Sequence, residues 1–277
     1  MPIDPDRAIG AELPPVEFSW SPTDVLLYHL ALGASELPYT YEPGLQVLPT
    51  FGVVAPTLHV TAPPTVSYPG VELDLTKVLH GEQSISLRRP IPVAGTARLV
   101  TRIVAVYDKG ESAVIVQEST VDIDDDPLFS TRSSIFARGA GGFGGDRGPS
   151  VRFAAPEREP DAVLDTPTLP QQAMLYRLCG DRNPLHIDPA FAARAGFPQP
   201  ILHGLCVYGM VAKSIVDSML SGRTDRLAGF GARFTGVLYP GEPVRTRVWR
   251  SPESWTFVTT APERADAPVL TGSLTAL

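Results

Sequence analysis

The most regular apolar spacing in the chain lies in its second half. Tyr208, Val211, Ala212, Ile215, Val216 and Met219 recur at steps of three and four, with Lys213 and Asp217 on the opposite side. That period predicts one amphipathic helix over residues 205–220. Elsewhere the apolar residues are β-branched and alternate. Residues 97–107 (ARLVTRIVAVY) and 112–123 (SAVIVQESTVDI) flank Asp108-Lys109-Gly110-Glu111, which reads as a hairpin turn. Residues 243–250 and 255–260 flank Ser251-Pro252-Glu253-Ser254 in the same way.

The chain also repeats itself. Leu26-Leu27-Tyr28-His29-Leu30-Ala31 matches Met174-Leu175-Tyr176-Arg177-Leu178-Cys179 at an offset of 148, each after a proline that can open a helix, Pro22 and Pro170. Gly95–Thr101 matches Gly241–Arg247 at an offset of 146. Each half is therefore expected to be a helix followed by a curled antiparallel sheet, an α+β arrangement. The expected boundaries are 1–138 for the first unit, 139–150 for a glycine-rich flexible linker and 151–277 for the second. Gly139, Gly141 and Gly144 have GxGxxG spacing, but Pro149 and a polar stretch follow where a dinucleotide fold needs a helix. The first-half counterpart of the long helix, around Phe51 to Val60, is interrupted by Pro56 and terminated by Pro63-Pro64. An interior proline costs about 3 kcal/mol, so the halves have diverged.

Composition narrows the function classes. The 277 residues are 43% hydrophobic with a net charge of −7, which excludes the electrostatic footprint of a nucleic-acid binder. Cys179 and Cys206 are too few for a disulfide framework and read as small core residues in a reducing compartment. Met1–Asp6 lacks the basic cluster and apolar run of a secretory signal, and Thr275-Ala276-Leu277 is not a Ser-Lys-Leu address. The charge-free stretch 43–71 carries six prolines and cannot be a membrane helix. A soluble cytoplasmic protein with no membrane partner is expected.

The densest polar cluster is Tyr176 to Asp188. Gly180 and Pro184 force a turn there, from which Asp181, Asn183 and His186 emerge. A carboxylate and an imidazole five residues apart across such a turn can converge and move protons on one water. The alternative is a plain Asx-turn with a satisfied surface histidine. Leu202-His203-Gly204-Leu205 precedes the long helix, so the Gly204 N–H sits where the helix dipole favours an oxyanion. His203 alone reads as structural. A zinc site on His186, Asp188 and His203 matches no common ligand spacing, and no metal or other cofactor is expected. No GxSxG elbow is present, which sets aside a serine hydrolase. His80-Gly81-Glu82 lies between strand-like segments and reads as a turn.

The run from Tyr176 to His186 resembles the signature of the MaoC-like, (R)-specific type-2 enoyl-CoA hydratases. Val78-Leu79-His80-Gly81-Glu82-Gln83, Leu202-His203-Gly204-Leu205 and Gly231-Ala232-Arg233-Phe234 resemble further landmarks of that family in the same order. The resemblance implies a double hot dog fold, two tandem units each with an antiparallel sheet wrapped around a helix. It places the acid/base pair on Asp181 and His186, an active-site asparagine on Asn183 and a thioester-binding N–H on Gly204. It associates His80, Gly81, Lys109 and Phe234 with binding of the CoA ester. The implied reaction is reversible addition of water to trans-2-enoyl-CoA, giving (3R)-3-hydroxyacyl-CoA, with coenzyme A as part of the substrate and a homodimer as the assembly. Arg88, Arg89, Arg233 and Arg245 are candidates for facing the CoA phosphates. Family members with such doubled halves take bulky acyl groups, steroid side chains included, and the broken first-half helix would give room for one. The competing readings are a 3-hydroxyacyl-ACP dehydratase or thioesterase on the same fold, and a non-catalytic acyl-CoA-binding module.

Overall fold

The computed structural model describes residues 3–150, 153–252 and 254–277. Among the described residues twelve strands form in chain order: β1 Val16–Trp20, β2 Val66–Tyr68, β3 Val71–Leu73, β4 Val78–Leu87, β5 Gly95–Asp108, β6 Ser112–Ile123, β7 Asp126–Arg138, β8 Ala162–Thr166, β9 Leu227–Phe234, β10 Val244–Arg250, β11 Ser254–Ala261 and β12 Ala267–Ala276. β2 and β3 make a separate hairpin, and the other ten form one antiparallel sheet in the order β1-β5-β6-β7-β4-β9-β12-β11-β10-β8. The order is a palindrome, with β1, β5, β6, β7 and β4 answered by β8, β10, β11, β12 and β9. The halves meet where β4 pairs with β9 and Ser84 faces Gly231. Those two residues stand 147 positions apart, between the two sequence offsets, so the pseudo-two-fold relating the halves passes between them.

The second half keeps its long helix, Gly204–Met219. Its predicted apolar face is buried: Tyr208, Val211, Ala212, Ile215 and Val216 are in the core. The Tyr208 hydroxyl donates to the Phe230 carbonyl of β9 at 2.8 Å, and Phe230 stacks on Phe257 of β11 at 5.2 Å. On the far side Lys213 pairs with both Asp217 and Glu36 at 2.8 Å.

The first half makes only a short counterpart. One α-turn, Phe51–Val54, passes into a 3-10 turn, Ala55–Thr57, with Pro56 inside it. Proline has no N–H to continue the α-helical ladder, so the helix stops where the sequence places the interruption. Phe51 anchors the turn, fully buried against the rings of Tyr28 and Trp20. The segment then runs irregularly over 58–65.

Two local expectations are corrected. His80-Gly81-Glu82 is not a turn but part of β4, where His80 pairs with Ile135 and Glu82 with Ser134. Gly81 is the extra residue of a β-bulge, and a Cβ there would lie 2.7 Å from Ser134 Oγ. The glycine-rich connector is not a free chain either. Gly110, Gly142 and Gly144 donate their N–H groups to the Asp108 carboxylate at 2.7–3.0 Å. Those donors hold the Asp108 carboxyl below the usual carboxylate range. Among the described residues no helix is long and apolar enough to cross a membrane.

Candidate active site

The polar cluster is built by three successive backbone devices. A 3-10 turn, Arg177–Cys179, ends at Gly180 with φ of +100°, a conformation that favours glycine. The Asn183 N–H donates to Asp181 Oδ1 at 3.1 Å, and Asn183 Oδ1 accepts from the Leu185 N–H at 3.0 Å, capping the 3-10 turn Pro184–His186. Asp188 then caps the helix Pro189–Arg194 by accepting from Ala190 and Phe191. The Asx-turn and the convergent cluster are thus both present. The turn is how Asp181 and His186 come to face one space.

His186 is buried, and its Nδ1 lies 2.9 Å from the Ile201 carbonyl oxygen. A carbonyl only accepts, so Nδ1 carries the proton and Nε2 of the neutral ring is a bare acceptor. One Asp181 carboxylate oxygen and one nitrogen each of His186 and His203 lie within 4.8 Å of one another. That is a span one hydrogen-bonded water can bridge. Burial pushes the His186 imidazole below its usual value, with the Asp181 charge and the Ile201 carbonyl pulling the other way. Burial depresses His203 further, with the nearby His186 adding to it. The lowered value favours the neutral His186 ring near pH 7, with Nε2 free to accept a proton.

These groups open on a cavity of about 570 Å³, within the usual range for small-molecule sites. Asp181, Asn183, His186, Gly204, His80 and Phe234 all line it. Gly204 is the first residue of the long helix, where backbone N–H groups have no intrahelical acceptor. The Phe234 ring closes over it so tightly that a Cβ on Gly204 would meet Phe234 Cε1 at 2.9 Å. Phe234 also packs on His80, with ring centroids 4.9 Å apart, and His80 Nε2 donates to the Glu82 carbonyl at 3.0 Å. The broken first-half helix and the chain after it add Val53, Val54, Thr57 and Val60 to the same lining.

Two of the expected CoA-binding residues stand elsewhere. Gly81 is absorbed in the β4 bulge, next to His80 but outside the cavity lining. Lys109 is in the β5–β6 turn, also outside the lining, with Nζ on the Pro149 carbonyl at 3.1 Å and over the Tyr107 ring. Arg89, Arg233 and Arg245 each face a carboxylate, of Asp126, Glu82 and Asp165 respectively. Sequence reasoning gave no site role to two buried residues that the fold brings there. His203 stacks on His186 with centroids 3.8 Å apart, and Tyr176 lies beside His203 at 5.0 Å. The HG step before an amphipathic helix was the one available signal for His203.

Asp181, His186 and His203 are also a set of metal-ligand types. The ring geometry argues against shared coordination. Imidazole binds a metal in its own plane, with Zn–N near 2.0–2.1 Å. Planes tilted by only 28° at 3.8 Å separation meet well beyond that reach.

Comparison with known proteins agrees with the geometry. Residues 18–139 match the MFE-2 hydratase 2 N-terminal domain and residues 152–262 the MaoC like domain. A Mycobacterium tuberculosis protein named enoyl-CoA hydratase ChsH3 is 55% identical over 98% of both chains. The crystal structure of a MaoC-like dehydratase from Phytophthora capsici superposes with a TM-score of 0.91 at 30% identity, over 99% of this chain and 98% of that one. A further M. tuberculosis structure, described as a double hotdog fold, shares the architecture at TM-score 0.59 and 13% identity, over 98% and 97% of the two chains. With the palindromic sheet, the Asp181–His186 turn and these relatives in agreement, the chain belongs to the MaoC-like enoyl-CoA hydratase family, in its double hot dog form.

Proposed function

We propose that the chain is an (R)-specific enoyl-CoA hydratase, a hydro-lyase that adds water reversibly to trans-2-enoyl-CoA to give (3R)-3-hydroxyacyl-CoA. The observation that carries this reading is the convergence of the Asp181 carboxylate and the His186 imidazole on one small space at the cavity wall. In the proposed mechanism the two hold a single water, and His186 Nε2 takes its proton as the oxygen attacks C3. The charge that builds on the thioester oxygen meets the Gly204 N–H at the positive end of the long helix. The proton is then returned at C2 from the same pair. Each acid/base group is worth roughly 10²–10⁴ in rate, and the oxyanion donor roughly 10²–10³. Asn183, whose carbonyl is committed to the Leu185 N–H, keeps its amide N–H₂ for the water or the substrate. No metal or redox group enters, because the thioester itself stabilises the enolate.

The acyl chain is proposed to lie against Val53, Val54, Thr57 and Val60, in the room left by the truncated helix. Long, branched or ring-bearing acyl groups are the substrates this supports. The reading extends to a unit boundary near 139–150, a cytoplasmic location and a homodimer.

The test is hydration of crotonyl-CoA and of bulky 2-enoyl-CoAs, followed by loss of conjugated-thioester absorbance, with product configuration read by a (3R)-specific dehydrogenase. Val53→Phe is expected to slow the bulky substrates while sparing crotonyl-CoA. A (3S) product, or release of free CoA thiol in place of hydration, contradicts the assignment.

A further inference from the structure

His203 has no exposed surface and does not line the cavity, yet it touches each part of the reacting group. Its ring lies on His186, with centroids 3.8 Å apart and planes 28° apart. Its Nε2 is 3.4 Å from the Asp181 carbonyl oxygen. Its own carbonyl accepts from the Cys206 and Val207 N–H groups at 3.1 and 3.2 Å, which starts the helix that presents Gly204. Because the Asp181 carbonyl can only accept, Nε2 holds the proton, and a neutral His203 must offer Nδ1 as an acceptor. Nδ1 is buried with no partner among the described residues, and so is the hydroxyl of Tyr176, whose ring is 5.0 Å away. One group lacks a donor and the other lacks an acceptor. Left apart, each costs about 1–3 kcal/mol.

We infer that His203 is a positioning residue for the Asp181–His186 pair, held in its Nε2–H tautomer by the Tyr176 hydroxyl through one buried water. The inference rests on the hydratase reading for its kinetic consequence only. The N–H to the Asp181 carbonyl fixes the loop that carries the carboxylate, and the stack fixes the plane of His186. The groups that bear on the His203 charge are His186, Arg177 and the Asp181 carbonyl. Burial is the main cause that keeps His203 uncharged, and Arg177 and a protonated His186 act in the same direction, so His203 stays neutral when His186 accepts a proton and does not repel the imidazolium.

The test joins a spectrum to kinetics. In ¹⁵N-histidine-labelled protein, His203 is expected as the neutral Nε2–H tautomer at about pH 6.5 and above, and Tyr176→Phe is expected to move its Nδ1 resonance. His203→Phe keeps the ring and loses both polar contacts; its kcat on crotonyl-CoA is expected to fall about 10- to 100-fold with KM within about threefold. His203→Gln can donate to Asp181 and accept from Tyr176, and is expected to recover part of that loss. An Nδ1–H tautomer, a His203→Phe enzyme with unchanged kcat and acid limb, or a glutamine no better than phenylalanine overturns the inference. A wild-type protein that hydrates no enoyl thioester contradicts the hydratase reading instead, and the tautomer remains readable.

Discussion

A Cβ on Gly180 would stand 1.8 Å from the carbonyl oxygen of Thr57. The backbone of the turn over residues 180–186 thus rests directly on the backbone of the truncated first-half helix. Arg182 extends the contact by reaching the Val60 carbonyl. The degenerate half therefore supports the loop that carries Asp181 and His186 as well as lining the cavity.

Gly180→Ala is expected to displace the turn, because neither backbone can yield a methyl group's width. Activity should be lost and the protein destabilised by more than about 1 kcal/mol. Gly196→Ala is the control. It also has a positive φ, but its Cβ would meet only Arg138 Nη1 at 4.0 Å, so thermal melts should show the smaller loss there, with activity kept.

The pH dependence has a definite sign. His186 must be neutral to take a proton, and its pKa lies below the ordinary 6.5. The kcat/KM profile on the acid side should therefore rise with pH and reach half its maximum below 6.5.

Stability should follow a second buried histidine. His29 donates from Nδ1 to the Tyr39 carbonyl and accepts the Leu48 N–H at Nε2, a neutral ring with both nitrogens used. Burial lowers its pKa to about 4. Below pH 6.5 the unfolded chain binds this proton and the native state does not. Stability is therefore whole above 6.5 and falls by about 3 kcal/mol as pH drops toward 4. Denaturant midpoints across that range check it, and His29→Gln should flatten the slope.

Gly204→Ala sets a methyl against Phe234. The Phe234 ring or the helix start must move, and kcat is expected to drop about tenfold or more. Adding Phe234→Leu should return part of the rate if crowding is the cause, measured with crotonyl-CoA.

Prolonged treatment with a chelator should leave the rate unchanged, since the stacked imidazoles of His186 and His203 cannot share an in-plane metal. Loss of activity restored by one divalent ion would contradict this.

What could be read in the sequence was local. The Gly204–Met219 helix announces itself by period, and the Asp181–His186 turn by its glycine and proline, because both are decided within a dozen residues. The break at Pro56 was legible for the same reason. What depends on distant partners was not. Gly81 looked like a turn because a bulge is defined only against Ser134 on β7. The linker glycines looked free because their acceptor, Asp108, lies more than thirty residues earlier. His203 looked structural because its neighbours Tyr176 and His186 reach it only through the fold. Lys109 matched a family position by spacing, and the fold turns it toward Pro149.

The most direct measurement is the rate of trans-2-enoyl-CoA hydration by wild type, Asp181→Asn and His186→Gln, with thermal melts in parallel. Rapid wild-type turnover to the (3R) product is expected, with losses of roughly 10²–10⁴ in each variant and nearly unchanged melting. Variants that hydrate as fast as wild type would show that the water is not held between Asp181 and His186.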